Sequence, residues 1–95
     1  MKIPKRLQPI LWSKSIGKLS PKDDKNYIIH QILMYGDLQD IKWLFDTYSR
    51  GEVAEVFIKH PKKMYTPSAF NFAKDIVLGL GGIEFKEDRY VRVSF

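Results

Sequence analysis

The sequence predicts a mainly α-helical domain that ends in a β-hairpin. Apolar residues recur at helical spacing in four segments between residues 20 and 82, and helix-capping residues separate these segments. After residue 82 the apolar residues instead alternate in steps of two, which is typical of strands. A chain of 95 residues that is 44% hydrophobic and 14% aromatic can bury one core of its own.

We expect the chain to fold as a single domain, 1–95, with three parts. These are a basic irregular N-terminal arm (1–19), a helical core (20–82) and a β-hairpin (83–95). The arm contains four apolar residues that we expect to anchor it on the core: Leu7, Ile10, Leu11 and Trp12.

The first two predicted helices meet at a tight junction. Ser20 is suited to cap the first helix, with Pro21 at its first position. Gly36 is expected to end that helix, because glycine readily adopts the left-handed conformation past a helix end. Asp37 is then placed to cap the second helix, which ends near Arg50.

The third and fourth helices and the tail follow from similar signals. A short third helix over about 52–59 is ended by Pro61. Thr66 and Pro67 begin a fourth helix, and three glycines, at positions 79, 81 and 82, terminate it. Residues 83–85 and 90–95 are predicted to pair as strands around a turn at 86–89.

Three helices followed by a hairpin is the element order of a winged helix-turn-helix, so the fold class is a four-helix domain resembling that fold. On this analogy the helix from Pro67 is the recognition helix, and the basic loop before it contacts the DNA backbone. The residues predicted to bind DNA are Lys59, Lys62, Lys63, Ser68, Asn71 and Lys74.

Positive charge is concentrated at the start of the chain. The net charge is +5, and residues 1–22 hold six basic residues and no acid. Basic patches attract phosphate backbones or acidic proteins. Two kinds of partner therefore remain open, duplex DNA and another protein. The apolar end of the chain adds a third expectation, a homodimer formed through the C-terminal strand.

The residue inventory favours a binding role over catalysis. There is no cysteine, and the two histidines, His30 and His60, stand far apart without nearby carboxylates at metal-ligand spacing. We predict no catalytic, cofactor-binding or metal-ligating residue, and His30 is expected on the surface. The lack of cysteine and of a long apolar run predicts a cytoplasmic protein without a membrane partner.

Several aromatic pairs and helix junctions between residues 7 and 80 follow one pattern. They are Leu11-Trp12, Tyr35-Gly36-Asp37, Trp43-Leu44-Phe45 with Tyr48, and Thr66-Pro67 leading to Asn71-Phe72. This pattern resembles a small uncharacterised family of prokaryotic helical domains, often encoded beside nucleotidyltransferase-type toxins of abortive-infection systems. The resemblance implies an antitoxin-like or regulatory role with a toxin as partner, and it implies no catalytic residues.

The function that we predict from the sequence is therefore a non-catalytic regulatory or antitoxin-like binding protein. It would contact DNA through the helix that starts at Pro67 and through the basic loop before it. The alternative is a protein–protein adaptor without nucleic-acid binding, whose basic N-terminus docks on an acidic surface.

Overall fold

The structure, a computed structural model, describes residues 3–92 and is mainly helical over that range. Its four helices are α1 (Lys25–Tyr35), α2 (Leu38–Thr47), α3 (Arg50–Lys59) and α4 (Pro67–Asn71), the last continuing as a π-helical segment (Phe72–Val77). Three 3-10 turns lie at Lys5–Leu7, Ile16–Lys18 and Glu87–Arg89. No helix in this range is long and apolar enough to cross a membrane.

Helix α1 is the central element of the fold. It packs against α2, α3 and α4, and six consecutive residues from Ile28 to Leu33 are buried. A helix that is buried on most of its circumference must also bury polar side chains, and these need internal hydrogen-bond partners. His30 and Gln31 are the two such residues in α1, and both become important for the candidate site.

Helices α2, α3 and α4 each begin directly after a capping residue. The Asp37 side chain accepts from the backbone N–H of Asp40 at 2.9 Å, and the Asp40 carboxylate accepts from the Asp37 N–H at 3.1 Å. Ser49 and Glu52 form the same reciprocal arrangement at the start of α3. Thr66 caps α4 with Pro67 in its first turn. The capping signals predicted the starts of α2 and α4. Helix α3 was predicted to begin at about residue 52, two residues after its observed start at Arg50, because Ser49 was assigned to the end of the second helix.

The start of α1 was predicted too early. Ser20 does accept a hydrogen bond from the Asp23 N–H at 3.1 Å, as a cap would. However, the carboxylate of Asp24 accepts from the Ser20 N–H at 2.9 Å and closes residues 20–24 into a separate turn. The regular helix therefore begins at Lys25, because Asp24 adopts a non-helical conformation.

Gly36 ends α1 as predicted, but for a different physical reason. Its backbone is extended, with φ −75° and ψ 155°, so the left-handed conformation is not required there. A Cβ atom at this position would lie 2.7 Å from the carbonyl oxygen of Ile32. Glycine is needed because the junction between α1 and α2 leaves no room for a side chain. The left-handed turn occurs instead at Gly79, where φ is 63° and the π-helical segment has ended.

The C-terminal hairpin predicted at 83–95 is not formed in its described part, residues 83–92. The backbone of Tyr65 pairs with this segment instead: its N–H donates to the Tyr90 carbonyl at 2.8 Å, and its carbonyl accepts from the Arg92 N–H at 2.9 Å. The only β pairing in residues 3–92 is the resulting parallel bridge between Tyr65 and Val91. Residues 93–95, on which the predicted homodimer strand partly falls, lie outside the described residues.

An aromatic cluster explains why the alternating pattern after residue 82 was misleading. The ring of Tyr90 lies 4.9 Å from that of Phe57 and 5.0 Å from that of Phe70, and Phe85 packs 5.6 Å from Phe57. The Tyr90 hydroxyl also donates to the Phe57 carbonyl. Phe85 and Tyr90, on the two sides of the 3-10 turn at Glu87–Arg89, thus pack on α3 and α4. Without a hairpin to act as the wing, the winged helix-turn-helix prediction is not supported.

The N-terminal arm is docked on the helices along much of its length. Leu7 and Leu11 are fully buried, as expected of anchors. Arg6 lies 3.4 Å from the carboxylate of Asp40 at the start of α2, and the Gln31 side chain of α1 donates to the Ile10 carbonyl at 2.6 Å. Trp12 departs from the prediction, because 57% of its surface remains exposed.

The contrast between two glycines tests this account of the α1–α2 junction. Gly36→Ala should lower the free energy of unfolding by about 1–3 kcal/mol, because the added methyl group overlaps the Ile32 carbonyl. Gly51→Ala in α3 should raise it by up to about 1 kcal/mol, since its Cβ would meet no atom closer than 3.9 Å and alanine favours helix. Urea denaturation of both variants measures the difference. Equal effects would contradict the steric explanation.

Candidate functional site

An open groove of about 670 Å³ lies between the N-terminal arm, α1 and the loop after α3. It combines exposed aromatic rings with basic side chains, and we call it the aromatic–basic groove. Its lining residues are Trp12, Ser13, Lys14, Asp24, Tyr27, Gln31, Tyr35, Lys62, Lys63, Met64 and Arg92.

One side of the groove is aromatic. Trp12 and Tyr35 pack edge to face, with ring centroids 4.9 Å apart and planes inclined at 64°. Both remain accessible, Trp12 at 57% and Tyr35 at 42%. Tyr27 fixes this side, because its hydroxyl accepts a hydrogen bond from the Ser13 N–H at 2.9 Å. Burying a tryptophan side chain would stabilise the fold by about 2 kcal/mol. Trp12 is exposed although the backbone beside it is anchored, so we take it as a candidate binding residue.

Basic side chains line the same groove as the aromatic rings. Four cations and one carboxylate line the groove, and the carboxylate belongs to Asp24. Lys14 lies 3.2 Å from Asp24, whereas Lys62 places its ammonium 5.4 Å from the centre of the Tyr27 ring. Within residues 3–92, no carboxylate lies within ion-pairing distance of the three cations other than Lys14. The groove therefore carries an excess of positive charge.

The carboxylate in the groove is already engaged by protein groups. One oxygen of Asp24 contacts Lys14, and the other accepts the Ser20 N–H at 2.9 Å. The backbone hydrogen bond from Ser20, assisted by Lys14, holds the pKa of Asp24 below its ordinary value. Asp24 is therefore an ionised structural group. Elsewhere in the described chain, no three histidine, aspartate or glutamate side chains come together as metal ligands.

A buried histidine holds the basic loop against α1. The Nδ1 atom of His30 lies 2.7 Å from the Tyr65 hydroxyl, and its Nε2 atom lies 2.7 Å from the His60 carbonyl. A carbonyl can only accept, so Nε2 carries the proton and Nδ1 accepts the hydroxyl proton of Tyr65. The residues between His60 and Tyr65, which include Lys62 and Lys63, are thereby fixed at both ends.

His30 was predicted on the surface, and this prediction is wrong. The side chain is fully buried, and burial lowers its pKa to about 4. Burial likewise raises the pKa of Tyr65, so both groups are neutral near pH 7. The partners that make this burial tolerable are distant in sequence, with Tyr65 35 residues away, and local pattern does not reveal them.

The structure separates the residues predicted to bind DNA. Lys62 and Lys63 line the aromatic–basic groove. Ser68 and Asn71 are exposed on α4 and Lys59 on α3, but none of the three lines it. Lys74 is largely covered: it lies 3.2 Å from the Asp75 carboxylate, and its ammonium is 5.8 Å from the centre of the Phe70 ring. The predicted loop and the predicted helix do not share one groove.

Sequence reasoning missed the residues that the groove adds to Lys62 and Lys63. Lys14 and Arg92 were not expected beside the loop, and Trp12 and Tyr35 were not assigned to a site. Interleaving of aromatic and basic residues at 12–14 and 62–65 was an available signal. It was not decisive, because nothing local indicates that these segments meet.

Residues 7–57 match the model of DUF6922, a family of unknown function. The chain belongs to this family. No curated protein and no solved structure matches the chain. The match confirms only the coarser expectation, a family without assigned function, over residues 7–57. It does not extend to Thr66-Pro67 or Asn71-Phe72, and the association with toxins stays a prediction. The matched range of the DUF6922 chain contains Trp12 and Tyr35, whereas the basic loop and Arg92 lie beyond it.

The buried histidine predicts a specific loss of stability in acid. His30 titrates near 6.5 when unfolded and near 4 when folded, so between these values the unfolded state binds the extra proton. The stability that it contributes is complete above pH 6.5 and is lost as the pH falls toward 4, by about 3 kcal/mol. Urea denaturation from pH 7 to pH 4 measures this for the DUF6922 chain. His30→Leu should lack this component, and identical pH dependence in both would contradict the assignment.

The Tyr65 hydroxyl provides a second test of the network. Tyr65→Phe removes the donor to Nδ1 of His30 and leaves a buried acceptor unpaired, which should cost about 1–3 kcal/mol of unfolding free energy. Tyr35→Phe is the matched control, because its ring is exposed and the change should alter stability by less than about 0.5 kcal/mol. Denaturation at pH 7 compares the two. A cost for Tyr65→Phe as small as that for Tyr35→Phe would argue against the proposed tautomer.

Proposed function

We propose that this protein is a non-catalytic regulatory or antitoxin-like binding protein that holds a nucleic acid in the aromatic–basic groove. The observation that carries the proposal is the convergence of Lys14, Lys62, Lys63 and Arg92 beside exposed aromatic rings. Cations that neutralise phosphates release condensed counterions, and this release drives nucleic-acid binding.

The distribution of charge supports the groove over helix α4 as the contact surface. The ammonium of Lys74 in the π-helical segment is partly neutralised by Asp75, so α4 and its continuation contribute little positive field. Lys62 and Lys63 have no carboxylate within ion-pairing distance in residues 3–92. The loop half of the predicted DNA site is therefore kept in the proposal. Ser68 and Asn71 do not line the groove and are not part of the proposed contact surface.

The engaged state of the ionisable groups supports a non-catalytic role. Asp24 already accepts two hydrogen bonds in the groove, and His30 uses both of its ring nitrogens in the interior. General acid–base catalysis needs an ionisable group at the site that can exchange a proton with the substrate. In this arrangement each group serves to position the groove.

The alternative function, a protein–protein adaptor, is supported by a separate observation. Leu38 is 78% exposed at the start of α2, and Ile76 is 71% exposed in the π-helical segment. Neither lines the aromatic–basic groove. If the protein is an adaptor or an antitoxin bound to its toxin, a stoichiometric partner should co-purify. Leu38→Glu with Ile76→Glu should then release that partner while leaving nucleic-acid affinity unchanged.

Charge reversal in the groove tests the nucleic-acid proposal. Lys62→Glu with Lys63→Glu should weaken binding to a labelled oligonucleotide on every sequence and should reduce the salt slope by about one for each lysine. Lys42→Glu with Lys86→Glu is the matched control, since it changes the net charge equally at exposed positions outside the groove. Fluorescence anisotropy across a salt series measures both. Equal weakening by both double variants would contradict a site in the groove.

A further inference from the structure

We propose, resting on the proposed function, that the aromatic–basic groove is selective for single-stranded nucleic acid and that Trp12 and Tyr35 stack on an unpaired base. In a duplex the bases are stacked on one another and their faces are not accessible. In a single strand the faces are free, and proteins that bind such strands combine a basic path with aromatic platforms. The groove contains both parts.

The geometry of the two rings leaves stacking surface available. Rings stacked in parallel would each cover one face of the other. Trp12 and Tyr35 are instead inclined at 64°, so the contact covers a face of only one of them. With 57% and 42% of their surfaces exposed, both rings retain area on which a base can lie. A base on an aromatic side chain contributes about 1–3 kcal/mol.

The cations are arranged so that a backbone can follow the rings. Lys14 is two residues after Trp12, and the ammonium of Lys62 lies 5.4 Å from the centre of the Tyr27 ring. Lys63 and Arg92 line the same groove. A strand whose base rests on Trp12 would therefore have four cations of the same groove available to its phosphates, without needing the regular spacing of a duplex.

The groove is also held in place before any ligand binds. The hydrogen bond from the Ser13 N–H to Tyr27 fixes the aromatic side. His30 fixes the basic loop, and the Arg92 N–H donates to the Tyr65 carbonyl at 2.9 Å. A site that is already ordered loses little conformational entropy on binding, so modest contacts suffice for affinity.

The experiment compares three labelled probes with the full chain: oligo-dT and oligo-rU of about 12 nucleotides, and a duplex of the same length. We expect both single strands to bind more tightly than the duplex. Trp12→Leu should weaken single-strand binding by about tenfold without changing its salt slope, because it removes stacking and no charge. Trp12→Phe, which keeps an aromatic face, should retain most of the affinity. Ile76→Leu, at an exposed position outside the groove, should have no effect.

Fluorescence gives an independent readout of the same contact. The chain has two tryptophans, so Trp43→Phe leaves Trp12 as the sole indole. Stacking of a base on Trp12 should quench the fluorescence of its indole when oligo-dT is added. The quenching should saturate at the oligo-dT concentration at which anisotropy shows saturated binding. Binding without quenching would count against contact with Trp12. A preference for oligo-rU over oligo-dT would indicate RNA as the ligand, and the reverse would indicate DNA.

The outcomes separate this inference from the function on which it rests. One possible outcome is that single strands and duplex bind equally, that Trp12→Leu has no effect, and that Lys62→Glu with Lys63→Glu weakens binding of both. In that case the groove binds nucleic acid, but the stacking proposal is wrong. If no probe binds at low salt, both proposals are wrong. If polyglutamate displaces the strands at equal charge concentration, the groove recognises acidic polymers generally and selectivity for nucleic acid is overturned.

Discussion

The neutral imidazole of His30 is the interaction on which the arrangement of the groove depends. It joins α1 to the Tyr65 hydroxyl and to the His60 carbonyl at 2.7 Å each, and the side chains of His30 and Tyr65 are fully buried. An unpaired polar group there would cost about 1–3 kcal/mol, so the three partners specify one another. The backbone of Tyr65 then aligns Val91 and Arg92. One buried ring thus determines where two separate basic segments lie.

The helical part of the fold could be predicted because its signals are local. Asp37 and Thr66 each bond to a backbone N–H three residues on, and α2 and α4 begin there as predicted. Ser49 caps α3 in the same way, but it was assigned to the end of the second helix, so α3 was predicted two residues too late. Even the local signal has limits, as the start of α1 shows. Ser20 acts as a cap for one turn, but the carboxylate of Asp24 binds back to its N–H and delays the helix to Lys25.

The remaining features depend on partners distant in the chain. Alternation of apolar and polar residues after 82 indicates that every second side chain needs burial, but it does not identify the burying surface. A second strand and an aromatic cluster on α3 and α4 satisfy that need equally well, and Phe85 and Tyr90 use the cluster. The same holds for His30, since a histidine on a helix appears polar until Tyr65 and the His60 carbonyl are known to face it.

The division of the predicted DNA-binding residues shows why basic residues have to be evaluated with their surroundings. Lys74 and Lys62 carry the same formal charge, but Lys74 is paired with Asp75 and Lys62 stands over an aromatic ring in a groove with further cations. The groove itself is assembled from two parts of the chain. Its aromatic rings belong to the range that matches DUF6922, and three of its four cations lie beyond residue 57. Because His30 bonds across this division, it holds the loop that carries Lys62 and Lys63 against the helix that carries Tyr35. The two parts of the groove are thereby kept together, which the proposed binding of one strand to both would require.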